Sequence, residues 1–496
     1  MKVSNLLGKA KGSALLLLGT ASVVVSMDAN AIPVFARQTG FKCVACHVGG
    51  MFPQLTSLGR MFKLTGYTMG NRPNLDGLEV QNDYPPVAIM VQGAKQYYNN
   101  TSHGNNGNAP ASAADLQVVS LFAGGKITDN FGAFMQWTGQ KYSNMQADGT
   151  QAGYGSAAID NTEFRYADRT VTPNSDLVLG AYVNNRAMMS DVWNNFGAWE
   201  SGWINYFNAG NAQAPTTYMM GESSQHAAVG VGGYFFKDKT WYGELAIYKS
   251  PTHGPFSMLT AGATSVGSSA TGIPGTSLLE PSPYFRFAYN KEWGANSFEA
   301  GLHGMMSYVY GSPLYGQQFN PSATQFSNSQ VGGPVSVYHD VGVDAQYQYV
   351  LDPHYFAAHA RVTRELMNNT PGVANWQGLI AQNATDNLTE TYMDATYVYE
   401  AKYGAQLSYA SATGSSDTGL YGMGVNGAGS PTGSPNWTSW TPNIFWQPYQ
   451  NLRIGYMYTY YTQMGGVNSG NNLVFNTAKF SPANFNTSML YLGFIY

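Results

Sequence analysis

From residue 84 to the end of the chain, apolar and polar positions alternate with the period of two that marks strands with one wet and one apolar face. In the stretch 452–461, Leu452, Ile454, Tyr456, Tyr458 and Tyr460 fall on one face, and Arg453, Gly455, Met457 and Thr459 on the other. In the stretch 335–349, Val335, Val337, Val341 and Val343 alternate with Asp340, Asp344, Gln346 and Gln348. The pattern predicts sixteen strands, at 87–98, 115–127, 131–142, 158–171, 175–185, 227–238, 240–250, 282–293, 296–310, 335–350, 354–368, 388–401, 403–413, 437–448, 451–464 and 488–496. Tight connections such as Thr172-Pro173-Asn174, Gly294-Ala295 and Asp352-Pro353 alternate with long ones rich in Gly, Ser, Asn and Thr, such as 260–276. The stretch 186–226 leaves room for a different strand pairing.

Strands with one apolar or aromatic face, joined alternately by short and long connections, predict a transmembrane antiparallel β-barrel with short periplasmic turns and long outer loops. An even strand count puts both barrel ends on the periplasmic side. The last strand carries Leu490, Leu492, Phe494 and a terminal Tyr496, which resembles the terminal strand that outer-membrane assembly machinery reads. Closure removes the exposed edge that such a strand would otherwise present. A soluble propeller is the architectural rival, but no blade-length repeat is present. Charges on expected lumen faces are Glu163, Arg165, Arg169, Arg286, His359, Arg361, Glu365, Glu390, Asp394 and Glu400, read as a solvated pore lining or as anchors for a plug.

Before residue 84 the periodicity is helical. Leu55, Leu58 and Phe62 recur at helical spacing, Pro53 suits a first helical position and Gly66 suits a helix end. Further upstream, Lys2, Lys9 and Lys11 precede an apolar run from Ala14 to Val25 and an Ala29-Asn30-Ala31 cleavage site. This predicts a signal peptide over 1–31, a small α-helical domain over 32–83 and the barrel over 84–496. A segment of about 50 residues buries little core alone, so a covalent group or a surrounding wall must supply the rest.

Composition narrows the partners. Of 496 residues only 10% are charged, against about 25% in ordinary soluble proteins. The net charge of -4 offers no basic patch for nucleic acid. The low charge suits a lipid-facing barrel wall, or an acidic habitat in which carboxylates are protonated.

Both cysteines of the chain lie in Phe41-Lys42-Cys43-Val44-Ala45-Cys46-His47. The spacing C-x-x-C-H reads as a c-type haem attachment site: the two thiols bond the haem vinyl groups and the adjacent His47 lies under the iron. A disulfide, a zinc site or a thioredoxin-like motif needs no such histidine, and the last wants a βαβ context. No other histidine precedes His103, so methionine is the expected sixth ligand, from Met51, Met61 or Met69. Met51 is too close to His47 to reach the far haem face without strain, and Met61 has the bland role of helix core. Met69 follows the Gly66-Tyr67 turn, where the chain can fold back, and is preferred. Phe35, Phe41, Phe52 and Tyr67 are candidates for packing the porphyrin, and Arg37 and Arg60 for pairing its propionates.

The run AIPVFARQTGFKCVACH, followed by FPQLTSLGRMFKLTGYTM and a barrel-like remainder, resembles the fused outer-membrane monohaem cytochrome-porins of iron-oxidising bacteria. The specific match covers roughly Ile32 to Met69; beyond it only the architecture agrees. The resemblance implies one haem c on Cys43, Cys46 and His47, with Met69 as further ligand. It also implies oxidation of extracellular ferrous iron and delivery of electrons to a periplasmic cytochrome or copper protein. A haem near the outer mouth would keep ferric products outside the cell. The alternatives are a diffusion porin whose haem segment is a plug or sensor, and electron exchange with a donor other than iron.

Overall fold

A computed structural model describes residues 33–50, 53–70, 86–98, 112–140, 158–195, 228–251, 255–259, 278, 280–310, 335–370, 381–422, 430–471, 473–475 and 478–496. The expected signal peptide therefore lies outside the described residues. The first segment holds α1 (Pro33–Thr39), α2 (Cys43–Cys46), a 3-10 turn (Val48–Gly50) and α3 (Ser57–Leu64). Then come β1 (Val87–Tyr98), β2 (Ser112–Lys126), β3 (Phe131–Gln140), β4 (Ala158–Thr172), β5 (Ser175–Asn184), β6 (Val229–Lys237) and β7 (Trp241–Lys249). The wall continues with β8 (Ser282–Trp293), β9 (Asn296–Tyr310), β10 (Val335–Leu351), β11 (His354–Asn368), β12 (Thr385–Tyr399), β13 (Tyr403–Gly414), β14 (Trp437–Tyr449) and β15 (Leu452–Met464). Three short strands follow, β16 (Val467–Asn468), β17 (Leu473–Phe475) and β18 (Ala478–Phe480), before the last wall strand, β19 (Thr487–Ile495).

Each long strand pairs antiparallel with its chain neighbours, and β19 bridges β15 and β1, with Met90 opposite Ile495 and Tyr98 opposite Thr487. The result is a closed barrel of sixteen long strands, with β16 a two-residue extension against β15. All sixteen expected strands are present within a few residues, the largest shifts being earlier starts for β2 and β12.

Alternation sets the two faces. On β10, Val341 and Val343 are more than half exposed, whereas Asp340, Asp344, Gln346 and Gln348 are buried in the interior. Leu245, Ile247, Leu302, Leu407, Ile444 and Leu490 continue the outer apolar belt around the wall. Trp241, Trp293, Tyr399, Tyr403 and Tyr449 ring its short-turn end. Higher up, Trp440 stands opposite Tyr460, with the Tyr409 ring 4.8 Å from that of Trp440. A continuous apolar belt between aromatic girdles is stable only in lipid, and a closed barrel leaves no unpaired backbone there. The chain is thus an outer-membrane β-barrel of porin-like form.

Short turns such as 173–174, 294–295 and 450–451 lie at one end and long connections such as 185–228 and 250–281 at the other. Both barrel termini share the short-turn end, the periplasmic side of such barrels.

The interior is filled from two directions. The segment 33–70 enters at the short-turn end. Residues 186–195, which follow β5, turn inward rather than add a wall strand, and are all buried; the rest of that connection lies outside the described residues. One expected lumen charge lies elsewhere: Glu400 is exposed in the β12–β13 turn at φ 52°, because the strand stops at Tyr399. Arg169 stays on the lumen side, opposite buried Val178, but near the short-turn rim, where it pairs with Asp176 at 2.6 Å.

Candidate functional site

The two thiols lie on one turn of helix, because residues three apart share a helix face. His47 ends that turn in extended backbone, with its N–H donating to the Cys43 carbonyl at 2.7 Å. It then forms an isolated antiparallel bridge with Leu55. Thr56 locks the motif to the next helix: its Oγ1 donates to Ala45 O at 2.6 Å and accepts from Gly59 N at 3.3 Å, and its N–H donates to Cys46 O at 2.9 Å. This cap starts α3 at Ser57, four residues after the expected Pro53, because a hydroxyl that accepts from the first turn is a stronger start signal than proline alone. Gly66, at φ 73°, follows the helix end as expected. Gly59 lets α3 lie directly on the motif, since a Cβ there would stand 2.2 Å from the Cys46 carbonyl oxygen.

The motif is fastened to the rim of the barrel. Cys43 N donates to Gln450 Oε1 at 3.1 Å, and its Sγ lies 3.7 Å from Gln450 O, in the β14–β15 turn. Gln447 Nε2 donates to Gly49 O at 3.0 Å, and Arg453 donates to Gln447 Oε1 at 3.1 and 2.9 Å. Val48 packs among Tyr355, Val398, Phe445 and Met457 of the wall. The motif therefore sits at the short-turn end, away from the outer mouth at which a haem would keep ferric products outside.

The donor set suits a covalent haem. Cys43 and Cys46 are not joined in a disulfide. Burial pushes the Cys46 thiol up to about 11, so it stays protonated, whereas a thioredoxin-like pair works through a lowered thiol. Burial brings His47 down to about 4, which leaves the neutral imidazole that ligates metals. Among the described residues no three His, Cys, Asp or Glu side chains come together as a metal-ligand set.

The structure sets Cys43 and Cys46 on one helical turn with His47 directly after it, but Met69 stands apart from them. It packs against the cluster of Val34, Phe62, Tyr67, Phe122, Phe134 and Met189, and its carbonyl accepts from Gln38 Nε2 at 2.8 Å. With Met61, Leu58, Leu64, Trp193 and Phe236 it lines a cavity of 280 Å³ that the three motif residues do not line. Met51 and Phe52 lie outside the described residues. Phe35 stacks on Tyr67 with ring centroids 5.5 Å apart, and Phe41 is 40% exposed beside the motif. The two candidate propionate partners are engaged elsewhere. Arg37 donates to Val87 O, and Arg60 is buried against Glu292 at 3.1 Å and Gln348 at 2.9 Å, because its helix faces the wall.

Sequence reasoning missed the grip on the segment from above. Lys63 Nζ donates to the carbonyl oxygens of Met189 and, at 2.9 Å, Asp191, both in the inward loop. Burial lowers Lys63 to about 8, against the opposing attraction of Glu163. Tyr67 Oη donates to Glu163 at 2.8 Å, Asn194 Nδ2 to Pro53 O at 2.6 Å and Tyr234 Oη to Leu64 O at 2.6 Å. The loop is itself tied across the lumen: Arg286 pairs with Glu299 and Asp344, both at 2.8 Å, and lies 3.4 Å from Asp191. Asn195 Nδ2 donates to Glu299 and Asp344, and its carbonyl accepts from Arg361. The one trace in the sequence is that 184–195 breaks the two-residue alternation.

No family model matches the chain, and no curated protein does either. Among solved structures it is similar to the outer membrane channel DcaP of Acinetobacter baumannii, with TM-score 0.44 and 12% identity over 83% of this chain and 96% of that one. It is also similar to Salmonella typhi OmpF in complex with daunomycin, with TM-score 0.41 and 11% identity over 83% and 97% of the two chains. OmpT of Vibrio cholerae follows at TM-score 0.39 and 8% identity, over 83% and 96%.

Proposed function

We propose that this outer-membrane barrel is an electron-transfer protein with one covalent haem c, oxidising extracellular ferrous iron and passing electrons to a periplasmic cytochrome or copper protein. The observation that carries the reading is the Cys43-Cys46-His47 turn, a haem c donor set pinned by Gln450 to the periplasmic rim of a closed barrel. Cys43 and Cys46 would hold the haem as thioethers and His47 would ligate its iron, with Met69, which packs apart from the motif, as the expected second ligand. When bound, the haem supplies a one-electron couple, and a His/Met pair raises its potential, which suits a weak reductant. The residues around it do the rest: Thr56 and Gly59 fix the turn on α3, and the wall and inward loop hold α3 in place. Ferrous iron as donor is supported by the resemblance of residues 32–69 to iron-oxidiser cytochrome-porins. With the motif at the periplasmic rim, the haem would face the carrier's side, and ferrous iron would have to come within reach of that rim to give up its electron.

The purified chain should stain for covalent haem, and Cys43→Ser with Cys46→Ser should abolish the stain. Mixing ferrous iron with the oxidised protein at the habitat pH should produce the reduced haem spectrum. A stained protein that iron leaves oxidised, but another reductant reduces, would point to a different donor. The barrel architecture itself favours the second reading, a diffusion porin with a haem-bearing plug. Free solute flux through reconstituted protein lacking haem reduction by iron would decide for it.

A further inference from the structure

On the outer wall the Arg364 charge stands among lipid-facing residues. Arg364 of β11 points outward between Val362 and Leu366, which are 38% and 44% exposed. Across the β10 ladder it faces Val341, and across β12 it faces Thr389. His339, opposite Leu366, is its diagonal neighbour on the same outer face, so the two side chains start roughly 7–8 Å apart. Below them the surface is apolar, with Val343 56% and Leu302 43% exposed. Among the described residues neither the Arg364 nor the His339 side chain has a hydrogen bond or ion pair.

Height tells which part of the membrane this patch meets. Arg364 lies ten residues up β11 from His354 at the short-turn end. At about 3.3 Å per residue and a tilt of about 40°, that is roughly 25 Å, the height of the apolar belt. The guanidinium therefore stands at the outer edge of the hydrocarbon, where an arginine is tolerated but gains most from an anion. The other outward cations at comparable height are Lys95 on β1 and Lys249 on β7, and among the described residues no outward carboxylate lies near any of the three.

We infer that Arg364, His339 and Thr389 form a docking site for the phosphate of an outer-leaflet glycolipid of the lipid A type. A guanidinium matches a phosphate with two parallel hydrogen bonds, and His339 and Thr389 flank it with further polar groups. The acyl chains would lie down the apolar surface of Val341, Val343, Val362 and Leu302. The leaflet is fixed by height: the patch is on the long-loop half, where outer membranes carry phosphorylated glycolipid rather than phospholipid.

The test uses the full-length protein in nanodiscs, with lipid retention read by native mass spectrometry. Lipid A should be retained several-fold more than its dephosphorylated form, and Arg364→Gln should abolish that preference while Arg364→Lys keeps part of it. Heat-modifiable migration on gels reports that each variant is still a closed barrel. Equal retention of phosphorylated and dephosphorylated lipid by the unmodified protein would overturn the site without recourse to any variant. Retention of phosphatidylglycerol as strong as that of lipid A would overturn the choice of glycolipid. An unchanged preference in Arg364→Gln would move the site elsewhere. None of these outcomes depends on the haem.

Discussion

Arg60 Nη2 of α3 lies 3.1 Å from Glu292 Oε1 at the foot of β8, joining the N-terminal segment to a wall strand far along the chain. The same guanidinium reaches Gln348 of β10, Ser297 of β9 and, within its own segment, Ser57 and Leu55 O. One side chain thus ties the motif-bearing helix to three consecutive wall strands.

Arg60→Ala should loosen the segment without opening the barrel. Glu292 is a third exposed and can rehydrate, so the loss is smaller than for a fully buried pair, about 2 kcal/mol with the neutral hydrogen bonds included. Limited proteolysis should cut within 53–70 several-fold faster, while heat-modifiable migration of the barrel stays as it was.

Lys63 makes docking of the segment pH-dependent. Its docked value is about 8, below the ordinary 10.5, because burial disfavours the ammonium. Below pH 8 both docked and released forms carry the proton, and docking bears the cost of burying the charge. Between pH 8 and 10.5 the docked form sheds its proton while the released form keeps it, so docking tightens as pH rises, by up to about 3 kcal/mol. The urea midpoint for loss of protease protection should climb across this window, and Lys63→Met should flatten the climb. A midpoint that fell with rising pH in the unmodified protein would contradict this account.

Gly59→Ala should disturb the motif itself. Gly59 is helical, so the added methyl is unfavourable for want of space, being placed 2.2 Å from a main-chain oxygen that cannot rotate away. Overpacking of this kind costs about 1–3 kcal/mol. Covalent haem per mole of protein should fall, whereas Ser57→Ala, on the exposed start of the same helix, should leave it unchanged.

Met61 and Met69 line one cavity apart from the motif, so neither is favoured over the other by its surroundings there. With Met69 as the sixth ligand, Met69→Leu should lower the midpoint potential and remove the ferric methionine charge-transfer band. Met61→Leu, close to it in volume, should retain both. The reverse outcome would assign the ligand to the helix residue.

Much of this was legible in the chain. The alternation of Val341 and Val343 with Asp340 and Asp344 defined a wall strand, because a strand between lipid and lumen has no other way to satisfy both solvents. The spacing of Cys43, Cys46 and His47 pointed to a haem c attachment site, and local geometry alone puts both cysteines on one helical turn with His47 directly after it. Thr56, a hydroxyl with a glycine three residues on, could have been read as the true helix start.

Tertiary structure decided where the motif sits and what holds it. Nothing local in FKCVACH announces Gln450, more than 400 residues away, or distinguishes the periplasmic rim from the outer mouth. The inward course of 186–195 is decided likewise, by Arg286, Glu299, Asp344 and Lys63, which lie on separate elements and converge only when the barrel closes. Arg60 shows the limit most plainly: its charge suggested a propionate, but buried charges take the partners that the fold brings within reach, and here those are Glu292 and Gln348. Period and spacing act along the chain and are visible in it, whereas plugging a barrel is a matter of which faces meet across the lumen.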